Sequence, residues 1–193
     1  MATPHPLRFA IIGDRTGSHR PGIYEEIVVE VERMRPDFVI TVGDMIEDSQ
    51  DTAWLEKEWK EYKSIIAPLT MPIYFTPGNN DIAFDIALGP YERNIGQPYY
   101  SFDRPEIYAH FIILDNSRWE SSKELPKEQI DWLIADLKSH PQRNYYNTLV
   151  FFHKPFWFET LTEGRADTLH TLFKNFGVRA VFNGHFHQYH SAK

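Results

Sequence analysis

Side chains that can bind a metal ion recur along the chain, each directly after an apolar segment. They are Asp14, Asp44, the run Asn79-Asn80-Asp81, His153, His185 and His187. Aspartate oxygen, asparagine carbonyl oxygen and neutral imidazole nitrogen suit zinc, manganese or iron in mixed N/O coordination. Five or six such ligands exceed the four of one tetrahedral zinc, whereas two ions bridged by a carboxylate would use them all. The chain has no cysteine, so thiolate metal sites and thiol nucleophiles are excluded.

The composition narrows the class of protein. The 193 residues carry 27 acidic and 20 basic side chains, for a formal net charge of −7. Strong nonspecific nucleic-acid binding, which needs a broad basic surface, is therefore not expected. No segment reaches the roughly 20 apolar residues of a membrane span, and residues 1–8 lack the pattern of a signal peptide. We expect one cytoplasmic domain over residues 1–193.

The elements that must position these side chains alternate between strand and helix. Short apolar runs predict buried strands at residues 7–12, 38–42, 73–76, 99–102, 110–114, 148–152 and 178–182. Amphipathic stretches predict helices at residues 24–34, 54–66, 127–137 and 169–176. Alternation of this kind predicts βαβ units and a largely parallel sheet. Ligands bind at the carboxyl ends of strands in such sheets, so the polar residues can converge on one site.

Five short motifs stand in order at these predicted strand ends. They are Gly13-Asp14-Arg15-Thr16, Gly43-Asp44, Gly78-Asn79-Asn80-Asp81, His153-Lys154-Pro155 and Gly184-His185-Phe186-His187. The series resembles that of the calcineurin-like metallophosphoesterase superfamily and extends from residue 9 to residue 187. The resemblance implies an α/β fold, a four-layer sandwich of two mixed β-sheets flanked by helices. Family chains normally continue with further strands, so a truncated or minimal version with an exposed sheet edge is expected.

The same resemblance implies a chemistry, the hydrolysis of a phosphomonoester or phosphodiester by a metal-activated water. The cofactors would be two divalent or trivalent ions of manganese, iron or zinc. The implied ligands are Asp14 and His187 for the first ion, Asp44 for both ions, and Asn79, His153 and His185 for the second. The implied partner is a phosphate-ester substrate, and segments 81–98 and 118–126 are the loops expected to set its specificity. A hydrogen-bonding role beside the metal ligands is expected for Asp81.

Thr16 is the first departure from the family pattern, because the family has histidine at this position. The first ion therefore loses an imidazole, and a hydroxyl is a poor replacement. Water could fill the place, or His19 or His190 could reach it.

Asn80 is the second departure, since it stands where the family has a histidine that contacts phosphate. An amide donates a hydrogen bond but cannot act as a general acid near neutral pH. Asn80 is still expected at the catalytic site, with activity restricted to good leaving groups. Arg15 is a second catalytic candidate, because a guanidinium can hold phosphate bidentately. The alternative for Arg15 is an ion pair with a local carboxylate such as Asp44 or Glu47.

Two other functions stay open at the level of the sequence. Thr16 and Asn80 both favour a metal-binding relative that is catalytically weak or inactive and acts as a binding module. A single-ion site would use only four ligands: Asp44, Asn79, His153 and His185.

Overall fold

The first sheet contains three parallel strands in the order β1-β2-β3. The structure is a computed structural model and describes residues 7–139, 147–156 and 167–189. The strands are β1 (Phe9–Ile12), β2 (Phe38–Thr41) and β3 (Ile73–Tyr74). The helices that follow them are α1 (Ile23–Met34), α2 (Thr52–Ile66) and α3 (Asp85–Asn94). Their apolar faces form one core with the outer face of the sheet.

The second sheet contains four strands in the order β4-β5-β6-β7. They are β4 (Tyr100–Arg104), β5 (Ala109–Ile113), β6 (Asn147–Phe151) and β7 (Ala180–Phe182). A 3-10 turn at Pro105–Ile107 joins the antiparallel pair β4 and β5, whereas β5, β6 and β7 are parallel. The helices α4 (Lys127–Ser139) and α5 (Thr168–Asn175) pack on its outer face, and a 3-10 turn at Ser122–Glu124 precedes α4.

Aromatic side chains fill the space between the two sheets. The Phe38 ring meets the Phe111 ring edge-on at 5.3 Å between centroids, and Phe102 stacks on Phe111 at 4.9 Å. Because each sheet also carries helices on its outer face, the molecule has four layers, as expected. The second sheet is mixed as predicted, but the described strands of the first are all parallel, since helices connect them in sequence.

The helix α2 shows how the local sequence produces the fold. The Asp51 carboxylate caps its first turn by accepting hydrogen bonds from the backbone N–H groups of Ala53 (2.9 Å) and Trp54 (3.4 Å). Leu55 and Trp59 lie one turn apart on the face that packs into the first core, and both are fully buried.

The segment 81–98 was expected to be a loop, and that expectation is wrong for its centre, which forms α3. The sequence does not predict this helix because it contains Gly89 and Pro90, and both residues are poor helix formers. Burial of Ala87 and Tyr91 in the first core holds the helix in place.

Within the described residues, no helix has the length and apolarity that a membrane span requires.

Candidate metal centre

The motif residues meet where the carboxyl ends of strands from both sheets come together. Asp14, Asp44 and Asn79 follow β1, β2 and β3 of the first sheet, whereas His153 and His185 follow β6 and β7 of the second. The hydrogen bond from the Gly184 amide to the His153 carbonyl, at 3.1 Å, joins the two histidine loops.

Four candidate ligand atoms surround one point beside His153. Its Nε2 lies 3.0 Å from Asn79 Oδ1, 3.2 Å from Asp44 Oδ2 and 3.3 Å from His185 Nδ1. The other ring nitrogen, Nδ1, lies 2.6 Å from the Val42 carbonyl oxygen, which can only accept a hydrogen bond. Nδ1 therefore carries a proton, and Nε2 is the nitrogen directed at the other three ligand atoms. These four groups fit the set expected for the second ion.

A second group of ligand atoms adjoins the first and shares Asp44 with it. Ligand atoms of Asp14, Asp44 and His187 all lie within 4.8 Å of one another, and the Asp44, His153 and His185 set meets the same limit. Asp14 Oδ2 accepts a hydrogen bond from the His185 amide at 2.8 Å. Asp14 Oδ1 is buried and has no hydrogen-bond partner among the described residues. His153 Nδ1 lies 3.7 Å from this oxygen, beyond hydrogen-bond distance. A buried carboxylate oxygen without a hydrogen bond is costly in a low-dielectric site, and a cation would satisfy it.

The electrostatics of the cluster favour a bound cation. Burial and the neighbouring His153 lower the pKa of His185, which keeps its imidazole neutral and able to bind a metal. Burial alone would lower the pKa of His153, but Asp44 and Asp14 outweigh it and raise that pKa. Burial raises the pKa of Asp14, with Asp44 adding to the effect against the opposing charge of His153.

Backbone conformation at the site is unusual for the residues concerned. The described residues include six non-glycine residues with positive φ, and four are candidate ligands: Asp14 (54°), Asp44 (56°), His185 (76°) and His187 (50°). Left-handed conformations of this kind concentrate at functional sites because the surrounding structure must hold them. Gly78 permits the close approach of loops there, since a Cβ atom on it would lie 2.3 Å from Asp44 Oδ1.

Thr16 and Asn80, the two departures from the family motifs, are hydrogen-bonded to each other in the structure. The Thr16 hydroxyl is buried, 2.8 Å from the Ile46 carbonyl oxygen and 3.0 Å from that of Asp44. Asn80 donates its side-chain N–H to Thr16 Oγ1 (3.2 Å) and Asp44 Oδ2 (3.4 Å), and its backbone N–H to Asp44 Oδ1 (2.9 Å). Asn80 therefore orients the Asp44 carboxylate, and Thr16 holds the Asn80 amide in place.

The two histidines considered as substitutes for the missing imidazole at Thr16 lie in different parts of the chain. His19 is exposed and belongs to neither group of ligand atoms identified among the described residues. His190 lies outside the described residues.

Arg15 was considered as a phosphate ligand, with a local carboxylate as its alternative partner. The structure places its guanidinium against α2, where it is 3% exposed and contacts Glu61 (2.5 Å), Glu58 (3.8 Å) and the Met45 carbonyl. Glu58 and Glu61 lie one helical turn apart on α2, on the side that faces the loop after β1. We therefore do not assign Arg15 to phosphate.

Two buried residues support the ligands from outside the cluster. Asp81 accepts backbone N–H groups from Met45 (2.8 Å), Ile46 (3.1 Å) and Gly78 (2.7 Å), a geometry that fits the supporting role expected of it. Burial and the nearby Asp44 raise the pKa of Asp81 to about 7.

Asn116 was missed by the sequence analysis. Its Oδ1 accepts the His153 amide at 3.0 Å and the Lys154 amide at 3.1 Å, and its Nδ2 donates to the Lys154 carbonyl at 2.7 Å. Asn116 thereby holds the loop that carries His153. It follows the end of β5, so the rule that identified the other residues, a polar residue after a strand, would have found it.

A family model described as calcineurin-like phosphoesterase matches residues 7–189. The chain belongs to the calcineurin-like phosphoesterase family. The predicted family and fold class are thus confirmed, and membership implies divalent metal ions at a phosphoester-hydrolysing centre.

Curated relatives in this family carry names of hydrolases. The chain is 24% identical over 184 residues to "Serine/threonine-protein phosphatase CPPED1" of Homo sapiens, an alignment that covers 85% of this chain and 58% of the relative. It is 27% identical over 165 residues to "Probable glycerophosphodiester phosphodiesterase GpdQ" of Arcobacter nitrofigilis, covering 80% of this chain and 58% of that protein. The chain thus spans somewhat more than half the length of these relatives.

Solved structures share the fold of this calcineurin-like phosphoesterase at low sequence identity. Purple acid phosphatase PPD1 from yellow lupin superposes with a TM-score of 0.66 at 16% identity, covering 94% of this chain and 38% of that one. A dimetal phosphatase from Danio rerio superposes with a TM-score of 0.56 at 14% identity, covering 77% of this chain and 70% of that one.

Proposed function

We propose that the chain hydrolyses phosphomonoesters or phosphodiesters at a centre of two metal ions. The observation that carries this proposal is the sharing of Asp44 between two adjacent groups of ligand atoms, one of which leaves a buried carboxylate oxygen without a hydrogen bond among the described residues. Manganese, iron and zinc all suit the oxygen and imidazole ligands. Metal ions bound at these groups would polarise the phosphoryl oxygens and activate a water for attack on phosphorus.

The ligands divide unequally between the two ions. Asn79, His153 and His185 join Asp44 at the more buried group, whereas Asp14 and His187 join it at the other. The His187 side chain is 34% exposed, and the Thr16 hydroxyl beside this group already contacts two carbonyl oxygens. We therefore assign weaker binding to the first ion, which has three protein ligands, than to the second, which has four.

Asn80 determines which esters the site can cleave. Its side-chain amide donates to Thr16 and Asp44, and it has no proton to give to a leaving oxygen near neutral pH. Esters with good leaving groups are therefore the preferred substrates. The named relatives include a serine/threonine-protein phosphatase and a probable phosphodiesterase, so both ester classes belong to the proposal.

The second candidate is a metal-binding protein that is catalytically weak or inactive. Thr16 and Asn80, which replace two histidines of the family motifs, favour it. A binding module would retain the metal ions and the phosphoryl contact without turnover. A one-ion site at Asp44, Asn79, His153 and His185 is the third candidate, favoured by the closeness of those four ligand atoms. Turnover distinguishes the hydrolase from the inactive binding module. The number of metal ions bound per chain distinguishes the one-ion site from the two-ion centre.

The function is tested with p-nitrophenyl phosphate and bis(p-nitrophenyl) phosphate after loading with manganese, iron or zinc. Asp44→Asn should lower turnover at least about 100-fold, because the shared carboxylate is a ligand in both groups. Asp48→Asn makes the same chemical change at an exposed position on the same loop and should leave turnover unchanged. Absence of turnover with every metal, despite stoichiometric binding, would establish the binding module instead.

A further inference from the structure

A second cavity of about 770 Å³ lies apart from the candidate metal ligands, none of which lines it. Its walls come from α3, the segment before β4, the loop after β5 and the start of α4. The volume is within the range of pockets that hold small organic ligands. The family motifs contribute none of its lining residues, whereas segments 81–98 and 118–126, which are expected to set substrate specificity, contribute about half of them.

Aromatic rings form much of the wall of this cavity. Tyr99, Trp119 and Trp132 all line it, and the Tyr99 and Trp132 rings meet at an interplanar angle of 60° with centroids 5.1 Å apart. The two rings therefore pack edge to face in the cavity wall. Indole and phenol faces carry negative electrostatic potential and attract cations.

Carboxylates add to the negative potential of the rings. Glu92, Asp115 and Glu128 line the cavity, and Glu92 and Glu128 have neither a hydrogen bond nor an ion pair with any residue that the structure describes. Partial burial raises the pKa of the Tyr99 phenol, and the negative charges of Glu128 and Asp115 raise it further. The potential of these carboxylates therefore reaches the aromatic wall.

One basic side chain also lines the cavity, and its charge is already compensated. Arg118 contacts Asp85 at 2.6 Å and Asp115 at 3.8 Å. Its guanidinium carbon lies 4.8 Å from the centre of the Trp119 ring, so this wall already accepts a cation of the chain itself. Glu128, which also lines the cavity with Tyr99 and Trp132, has no ion pair among the described residues.

We propose that this cavity binds a small organic cation of the quaternary or alkylated ammonium class. Aromatic faces with nearby carboxylates recognise such cations through cation–π attraction and through attraction between the positive charge and the carboxylates. Neither interaction needs a hydrogen-bond donor on the ligand. The cation is either a free ligand or the charged portion of a phosphoester substrate. Asp115 lines the cavity and the next residue, Asn116, contacts His153, so the cavity adjoins the metal centre through one loop.

Choline is the probe for this site, and 3,3-dimethyl-1-butanol is its neutral control of the same shape. Each is titrated into the metal-free protein by calorimetry, so the result does not depend on hydrolysis. Choline should bind and the neutral alcohol should bind at least about tenfold more weakly. Equal binding of the two compounds, or no binding of choline at millimolar concentration, would overturn the proposal.

Two variants locate the binding in the cavity. Trp132→Leu and Glu128→Gln should each weaken choline binding several-fold, to about tenfold for the ring. Glu26→Gln, an exposed residue on α1, removes the same charge elsewhere and should change nothing. Because Glu128 is exposed, its variant stays folded and keeps the test decisive if Trp132→Leu is unstable. Unchanged binding in the Glu128 variant would place choline elsewhere and overturn the proposal.

The source of the cation is distinguished by turnover of two esters that share one leaving group. A preference for p-nitrophenyl phosphocholine over p-nitrophenyl ethyl phosphate that Glu128→Gln abolishes would assign the cavity to the substrate. Choline binding without such a preference would assign it to a separate ligand. Both results support a cation site.

Discussion

Asp44 is the residue on which the candidate centre depends, because its two carboxylate oxygens face different neighbours. Oδ1 accepts the Asn80 amide at 2.9 Å, whereas Oδ2 lies 3.2 Å from His153 Nε2. Burial alone would raise the pKa of Asp44, but the hydrogen bond and charge of His153 outweigh it and lower that pKa. Asp44 is thus held as a carboxylate whether a proton on His153 or a metal ion supplies the compensating charge.

Thr16→His should restore an imidazole to the weaker metal group. We expect the first ion to bind about 10- to 100-fold more tightly, measured by competition with a chelator. Thr16→Val is the matched control, since it keeps the size of the side chain and adds no ligand. An unchanged affinity in Thr16→His would show that position 16 does not face the first ion.

Asn80→His should supply the missing general acid. Turnover of esters with poor leaving groups should rise by up to about 100-fold, because a positioned acid contributes on that scale. Turnover of p-nitrophenyl esters, whose leaving group needs no proton, should change little. Asn80→Ala separates the loss of the contacts to Asp44 from the gain of an acid. An equal gain on both kinds of ester would contradict this explanation.

Arg15 connects two elements, the loop after β1 and the helix α2. We expect Arg15→Met to lower the free energy of unfolding by about 2 kcal/mol. This is less than a fully buried pair contributes, because the Glu61 side chain is 47% exposed. The KM for phosphate esters should stay unchanged in this variant. A large rise in KM with unchanged stability would instead return Arg15 to the role of phosphate ligand.

His110 connects three elements of the second sheet and its helix layer. Its Nδ1 lies 2.9 Å from Asp103 on β4, and its Nε2 lies 2.7 Å from Asp136 on α4. Burial alone would lower the pKa of His110, but the two carboxylates outweigh it and raise that pKa above 6.5. Because the pKa is higher in the folded state than in the unfolded state, protonation of His110 stabilises the fold. This stabilisation is fully present below pH 6.5 and is lost as the pH rises through the folded-state pKa.

His110→Gln should therefore destabilise the protein most at acidic pH. We expect a loss of about 2 kcal/mol near pH 6, where the charged imidazole donates to both carboxylates. The difference in Tm between wild type and variant, followed by thermal unfolding, should shrink as the pH is raised. A difference that grows with pH would mean that His110 is neutral in the folded protein.

At the scale of the whole molecule, the sequence predicts the positions of the strands along the chain and the convergence of their ends. Both follow from local patterns, apolar runs followed by Gly-Asp, Gly-Asn or Gly-His, and the rule that ligands bind at strand ends. The metal candidates are near one another for this reason. No local pattern indicates which distant side chain meets Arg15, because Glu61 lies 46 residues away on a helix whose exposed face looks like a solvated one. The helix α3 was missed for a related reason, since only burial in the core outweighs Gly89 and Pro90.

The two sheets together define the candidate site, because each contributes candidate ligands that the other lacks. The first provides Asp14, Asp44 and Asn79, and the second provides His153 and His185. The aromatic layer around Phe111 packs the two sheets against each other. The metal centre therefore depends on the packing of the whole molecule and should be lost when the sheets separate.

The stoichiometry of metal binding tests this explanation most directly. Chelator-treated protein is dialysed against increasing manganese or zinc, and bound metal per chain is measured by elemental analysis. Two ions per chain should bind at saturation, with the second appearing at higher concentration because one group has fewer ligands. Asp44→Asn should weaken both. Saturation at one ion, or binding that Asp44→Asn leaves unchanged, would contradict a centre of two ions bridged by Asp44.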